Sequence, residues 1–500
     1  MPHSTLRRAL LPLTPALLLT ALPFLASADV TLPALLAEHM VIQRGLPVHI
    51  WGKAAPDEAV AVTFRTGTQT TKADMAGQWS VYLPPSEAGG PFTLTVKGNN
   101  TITFKDVLAG DVWVASGQSN MEFKLRQGDN AATEIAAAKY PQIRRTVITR
   151  KVAEYPMDDA AVQPWMESTP DTAPNASAVA YFFARHLQEH LPGSGSVVPI
   201  GIIESFWGGT PVEAWMSLRA IGEDPALMPI ISEWAKSSEA WPLVLAQYEN
   251  RLKTWKEGTP KPNKPETGPG GSWEPAGLYN AMISPLTPYP IKGAIWYQGE
   301  SNASVARAPV YARAFQGMIQ DWRHAWHQGE FPFLFVQLAN FKANPTWPDV
   351  REAQRQTLSL ANTGMAVTID VGNPTNIHPT NKQDVGLRLA LAARAVAYGE
   401  KLEYSGPVFR QATREGNTLR VWFEHAGGLT AKNGELKGFE IAGQNGKFSP
   451  ATARLEGGTV VVSAADTPAP VSVRYGWADN PECNLYNAAG LPASPFRSQP

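Results

Sequence analysis

Val112-Trp113-Val114-Ala115, followed shortly by Gly117-Gln118-Ser119-Asn120-Met121, is an apolar run that ends in a polar turn carrying one serine. A short continuous apolar run bounded by turn residues reads as a strand buried on both faces, as in parallel sheets. The serine is therefore delivered where a strand gives way to a tight turn. In open α/β sheets, ligands bind beyond the carboxyl ends of the strands, which makes this a fitting position for a nucleophile. A serine hydroxyl is unreactive at neutral pH without a base to take its proton and donors for the oxyanion, so partners are expected elsewhere in the chain.

Downstream of this run, strands and helices alternate. Ala176 to Leu191 has helical periodicity and Val198 to Glu204 reads as a buried strand. Ile291 to Gln298, Phe331 to Gln337 and Met365 to Val371 read as further strands. They are separated by helical patterns at Val310 to Gln328 and Val350 to Ala361, and a helix from Lys382 to Ala397 follows. This order predicts an α/β layer. Upstream, Val48 to Gly52, Val60 to Phe64 and Phe92 to Val96 are short β-branched runs between turns, and they predict a small β-sandwich. Strand patterns return at Leu419 to Phe423, Val460 to Ala464 and Val471 to Tyr475. The expected division is a leader at 1–28, an N-terminal β domain at 29–108, a catalytic α/β domain at 109–402 and a C-terminal β domain at 403–500. Glu257 to Gly271, with Pro260, Pro262, Pro265 and Pro269, reads as a long surface loop.

Five hundred residues leave room for two or three cores. Lys and Arg number 43 against 44 Asp and Glu, a balance that offers no basic surface for nucleic acid. The first residues read as basic Arg7-Arg8, an apolar stretch from Ala9 to Leu25, and Ala26-Ser27-Ala28, the pattern of a leader cleaved before Asp29. Export to the periplasm or the extracellular space is therefore expected, with no stable membrane association. Cys483 is the single cysteine, so no intramolecular disulfide is expected, and a thiol catalyst is not. Oligomeric state has no signature in the sequence.

Three later segments carry candidate partners for Ser119: Trp207-Gly208-Gly209-Thr210, Trp296-Tyr297-Gln298-Gly299-Glu300-Ser301-Asn302 and Asn376-Ile377-His378-Pro379. Each comes at or just after an expected strand end, so all could converge on one edge of the sheet. Of the nine histidines, His39, His49 and His425 fall in the β-rich flanks, and His324 and His327 lie on an amphipathic helix. His186-Leu187-Gln188-Glu189-His190 matches a zinc-hydrolase pattern. However, its helix already uses Phe182, Phe183 and Leu187 for a core face and no third ligand is evident, so no metal or other cofactor is expected. Trp113, Trp207, Trp215 and Trp296 fall near the strand ends, and only one exposed at the edge of the site would stack on a sugar.

The chain resembles the sialate O-acetylesterase family of the SGNH hydrolase superfamily. The likeness runs through Gly117 to Met121, Ser205 to Thr210 with Glu213-Ala214-Trp215, Gly277 to Met282, Trp296 to Asn302, Ile377 to Val385 and Trp477 to Pro481. It implies a three-layer α/β/α core flanked by N- and C-terminal β domains, acting on an O-acetylated sugar or glycan. By resemblance, Ser119 is the nucleophile and His378 the acid/base. Oxyanion donors would be the backbone N–H groups of Ser119 and Gly209 with a side-chain amide from either Gln298 or Asn302. Gln118, Asn120 and Glu300 are candidate substrate contacts, although the Glu300 carboxylate could instead hold a loop. The family usually carries Asp-Ile-His-Pro where this chain has Asn376-Ile377-His378-Pro379. Three readings follow: Asn376 orients the imidazole, Asp370 does so from a turn that folds back, or the site is a Ser-His dyad with a backbone carbonyl as orienter. The substrate implied is acetylated sialic acid, or acetylated xylan and other plant polysaccharides as in relatives with the same motifs. A reading of another class is a glycan-binding protein with a catalytically weakened core.

Overall fold

The computed structural model describes residues 29–191 and 197–499. The expected leader lies outside the described residues. No helix among them is long and apolar enough to cross a membrane.

The core sheet contains β1 (Thr101–Gly117), β2 (Tyr140–Val147), β3 (Met166–Ser168), β4 (Ile200–Phe206), β5 (Gly293–Tyr297), β6 (Phe333–Val336) and β7 (Thr363–Ala366). Its spatial order is β7-β6-β5-β1-β4-β2-β3, with every neighbouring pair parallel except the antiparallel edge pair β2–β3. The chain winds from β1 to one side and then crosses to the other, which makes the end of β1 the switch point where such sheets hold ligands.

Helices α1 (Ser119–Glu122), α2 (Ala178–His190), α3 (Ala308–Trp326), α4 (Trp347–Gln356) and α5 (Lys382–Val396) connect or cover these strands. Each expected helix and strand of the core is present, with ends shifted by a few residues. Several elements were not read from the sequence: the core strands β2 and β3, and a helix at Met228–Lys253 in which Ile230 is the one buried residue. Its apolar stripe is thin, so periodicity gave little signal there.

Strand β1 joins two environments. From Thr101 to Asp106 its exposure alternates, and from Val107 to Gly117 every residue is buried. The first half pairs antiparallel with a strand at Gly89–Lys97, which continues to strands Ala59–Phe64 and Gly67–Lys72. The second half is sandwiched between β4 and β5. A boundary after residue 108 thus falls inside one continuous strand, and the N-terminal β layer is built directly onto the element that carries Ser119.

The C-terminal region forms two four-stranded sheets around a separate cluster that includes Val421, Ile441, Val460, Val473 and Phe496. Arg351 of α4 ties this region to the core. Fully buried, it donates to the carbonyls of Leu338 and Ala339 on one side and of Ala478 and Asp479 on the other. Burial without a carboxylate partner pushes its guanidinium down to about 10. The Trp477-Ala478-Asp479-Asn480 segment thereby acquires a structural role, reinforced by Asn340 donating to Asn480 Oδ1 at 2.8 Å.

Candidate active site

Strand register brings the site together. Gly117 is paired with Phe206 on one side and Tyr297 on the other, so the three strands end on one rung. Ser119, Trp207 and Gln298 leave the sheet from neighbouring positions as a result. At Gly117 the backbone has φ +133°, and an added Cβ would lie 2.2 Å from the Tyr297 carbonyl oxygen, so the turn requires glycine. Ser119 opens the single-turn α1. Its hydroxyl is 2.7 Å from His378 Nε2, contributed by the loop between β7 and α5. With the imidazole proton on Nδ1, Nε2 accepts from the Ser119 O–H.

His378 is half-buried and titrates below its ordinary value of 6.5. Burial is the main cause, the positive charge of Lys382 adds to it, and the Glu122 carboxylate opposes it. A neutral imidazole at pH 7 is the form that can take a proton.

The expected orienters of that imidazole are not in place. Asn376 Oδ1 accepts from the His378 backbone N–H at 2.9 Å, a local turn bond that leaves the ring untouched. Asp370 forms a two-pronged ion pair with Arg388 at 2.6 and 2.8 Å and is committed there. His378 Nδ1 makes no hydrogen bond to any described residue, so the backbone-carbonyl orienter is missing too. Because Asn376 caps the backbone, Asn376→Asp is expected to change kcat on 4-nitrophenyl acetate by less than about threefold, a difference well under one decade of barrier. A gain of a hundredfold would show that the new carboxylate reaches the ring.

Both candidate oxyanion amides are spoken for, which corrects the expectation for Gln298 and Asn302. Gln298 Nε2 donates to Thr210 O at 3.1 Å and to Asn302 Oδ1 at 2.7 Å, while its Oε1 accepts from Tyr311 at 3.0 Å. Asn302 Nδ2 donates to Glu213 at 2.9 Å, and its Oδ1 accepts from Val212 N–H at 2.9 Å. Both side chains are buried, so their amides hold the Trp207-to-Glu213 segment against the strand ends. Gln298→Ala would leave Thr210 O, Asn302 Oδ1 and Tyr311 without this partner. A stability loss of about 1–3 kcal/mol is expected, read as a lower Tm. An unchanged Tm would contradict the network.

Two backbone donors remain. The N–H groups of Ser119 and Gly209 make no hydrogen bond within the described residues, and Gly209 is exposed with φ +78°. Its neighbour Gly208 is the residue packed on the serine: an added Cβ would lie 3.2 Å from Ser119 Cβ. Gly208 N–H donates to Glu122 Oε2 at 3.1 Å.

Gln118 and Asn120 were expected to meet substrate, and the structure turns both inward. Asn120 donates to Glu300 Oε1 at 2.6 Å and to Ile377 O at 3.0 Å. Gln118, in the amide orientation that pairs donors with acceptors, donates to Glu300 Oε2 at 3.2 Å and Thr210 O at 3.3 Å. Glu300 is the hub of this network, its carboxyl raised by burial and partly restored by Asn120 and Lys382. Gln118 and Asn120 on either side of Ser119 thus serve the turn rather than the ligand.

Residues that do face outward beside Ser119 escaped the sequence reading or entered it only as one of several tryptophans. Trp207 is partly exposed, whereas Trp113, Trp215 and Trp296 are fully buried. The Arg150 guanidinium lies 5.4 Å from the Trp207 ring centroid and pairs with Glu122. Arg150 sits on a connection far from any motif, so only the fold could have found it. Lys382, which is buried, lies by contrast inside the Ile377 to Val385 segment.

The His186-to-His190 pattern does not form a cluster of facing ligands. The two imidazoles stack at 4.0 Å, and Arg394 approaches His186 Nε2 at 3.4 Å. Burial, with the charges of His190 and Arg394 beside it, holds His186 down to about 4. Among the described residues, one group of three side chains could surround an ion, His39, Asp106 and Glu167, and Arg144 already pairs with both of its carboxylates.

Comparison with known proteins places this geometry. Residues 245–397 match the model of the carbohydrate esterase, sialic acid-specific acetylesterase family. The mouse sialate O-acetylesterase is 32% identical over 504 residues, covering 90% of each chain, and the human protein is 32% identical over 505 residues, covering 89% of this chain and 88% of its own. The crystal structure of a carbohydrate acetylesterase from Xanthomonas citri superposes with a TM-score of 0.81 at 42% identity, over 94% of this chain and 99% of that one. With likeness of this extent along nearly the whole chain, and an α/β core of the SGNH type, the protein belongs to the sialate O-acetylesterase family of carboxylic-ester hydrolases.

Proposed function

We propose that this protein removes O-acetyl groups from sugar hydroxyls through an acetyl-Ser119 intermediate. The observation that carries the reading is the 2.7 Å contact between Ser119 Oγ and a neutral His378 Nε2 at the switch point of the sheet. In this mechanism His378 takes the Ser119 proton as Oγ attacks the acetyl carbonyl carbon. The backbone N–H groups of Ser119 and Gly209 receive the negative charge on the carbonyl oxygen. Collapse of the tetrahedral intermediate breaks the acetyl–sugar bond, and His378 returns the proton to the departing sugar hydroxyl. Water, deprotonated by the same imidazole, then releases acetate and restores Ser119.

The sugar is read from relatives and from the edge of the site. The names of the mammalian relatives point to acetylated sialic acid, and the Xanthomonas protein, a carbohydrate acetylesterase, points to acetylated carbohydrates more broadly. Trp207, the partly exposed tryptophan beside Ser119, is suited to stack on a pyranose face. Export and periplasmic or extracellular action follow from the leader pattern at residues 1–28.

The test is acetate release by the purified protein from 4-nitrophenyl acetate, 9-O-acetyl sialic acid and acetylated xylan, with and without a chelator. Turnover that is insensitive to chelator is expected. Absence of turnover on every ester would remove the esterase reading and favour a glycan-binding role.

A further inference from the structure

Lys382 opens α5 four residues after His378, and its side chain is fully buried. Its ammonium donates to Asn120 Oδ1 at 2.5 Å and lies over the rings of Phe123 and Tyr297, at 4.9 and 5.2 Å from their centroids. Glu300 reaches it electrostatically, with Asn120 standing between them. A buried ammonium that lacks a direct carboxylate partner is costly, and an apolar side chain would satisfy packing alone without that penalty. Asn120 meanwhile donates to Ile377 O, the carbonyl next to His378. One amide therefore joins the turn that carries Ser119, the loop that carries His378, the cation and Glu300.

In a serine triad the carboxylate does two things: it orients the base and it stabilises the imidazolium. No carboxylate among the described residues hydrogen-bonds to His378. We propose that Lys382, acting through Asn120, is a positioning residue that takes over the first task and reverses the second, locking the Ser119 turn to the His378 loop while placing a cation rather than an anion behind the imidazole. The inference rests on reading His378 as the base. Charged or titratable groups that act on His378 are Lys382, which disfavours its protonation, and Glu122, which favours it. Those around Lys382 are Glu300 and Tyr297. Burial pushes Lys382 down to about 7, so its cation is gained as pH falls through the region above that in which His378 titrates. The consequence is a base that stays available in mildly acidic solution.

The experiment is the pH dependence of kcat/KM on 4-nitrophenyl acetate for the wild type, Lys382→Gln and Asn120→Ala. Loss of the cation should move the acid limb of Lys382→Gln upward toward 6.5 and lower kcat about tenfold with little change in KM. Asn120→Ala keeps the cation but breaks the bridge, so kcat should fall while the limb stays where it is. A limb that does not move in Lys382→Gln, with activity lost equally at every pH, would mean a merely structural lysine. Should Lys382→Gln not fold, the wild type decides, because an acid limb at or above 6.5 overturns the proposal by itself. A wild type inactive at all pH values would sink the esterase reading and this inference with it, whereas an unmoved limb sinks this inference alone.

Discussion

Ser119→Ala is expected to lower kcat on 4-nitrophenyl acetate by about 10⁴-fold or more, while the protein folds normally. The hydroxyl accounts for the whole effect. Ser119 begins a helix whose turn is built by Gly117, Gln118 and Asn120, so alanine keeps that architecture and removes the reacting oxygen alone. A residual rate is still expected from the backbone donors at Ser119 and Gly209, which remain in the variant. Mass spectrometry of the wild type quenched during turnover should find an acetyl group on the peptide that contains Ser119, and Ser119→Ala should lack it. Turnover that survives the substitution would remove the acyl-serine mechanism.

His378→Gln should cost about as much, because nucleophile and base act as one unit and either loss disables both. The wild-type pH profile carries the matching prediction. Since burial and Lys382 hold the His378 imidazole below 6.5, the neutral base persists as pH falls past that value, and protonation removes it only further down. kcat/KM is therefore expected to decline on the acid side with a midpoint under 6.5. An aspartate on the ring would shift the midpoint the other way, since an anion favours the imidazolium. A midpoint above the ordinary histidine value would show that an anion governs the base after all.

Much of this was legible in the chain. Val112 to Ala115 is apolar without interruption because β1 is covered on both faces by parallel neighbours, and such a run announces itself at once. The alternation of strand and helix patterns from Ala176 to Ala397 specified most of the core, although the strands at Tyr140–Val147 and Met166–Ser168 gave no such signal. The motif blocks at strand ends pointed to Ser119 and His378, which the fold brings within 2.7 Å. The helix at Met228–Lys253 was not legible, since most of its residues face water and its periodic apolar signal is slight. Likewise the junction near residue 108 reads as a boundary in sequence, where alternation gives way to a buried run, although the backbone crosses it without a break.

The amide and carboxylate side chains were harder, for a reason that applies to each. Gln298, Asn302, Gln118 and Asn120 all have the right chemistry to touch a ligand, and in sequence an amide that points into a cleft is identical to one that points into the protein. Their roles depended on what fills the space beside them: Thr210 O and Glu213 for the first two, Glu300 and Ile377 O for the others. Asn376 is the sharpest case, because its place two residues before His378 suggested contact with the ring, whereas turn geometry commits its oxygen to the backbone.

By itself, the sequence determined the α/β core and the family to which it belongs, and it pointed to Ser119 and His378 as partners, because these rest on hydrophobic patterning and on motifs contiguous in the chain. Only the tertiary structure decided what stands around His378. The buried cation of Lys382, the carboxylate of Glu122 and the commitment of Asp370 to Arg388 are contacts between separate segments, and through-space electrostatics follows distance and burial rather than order along the chain.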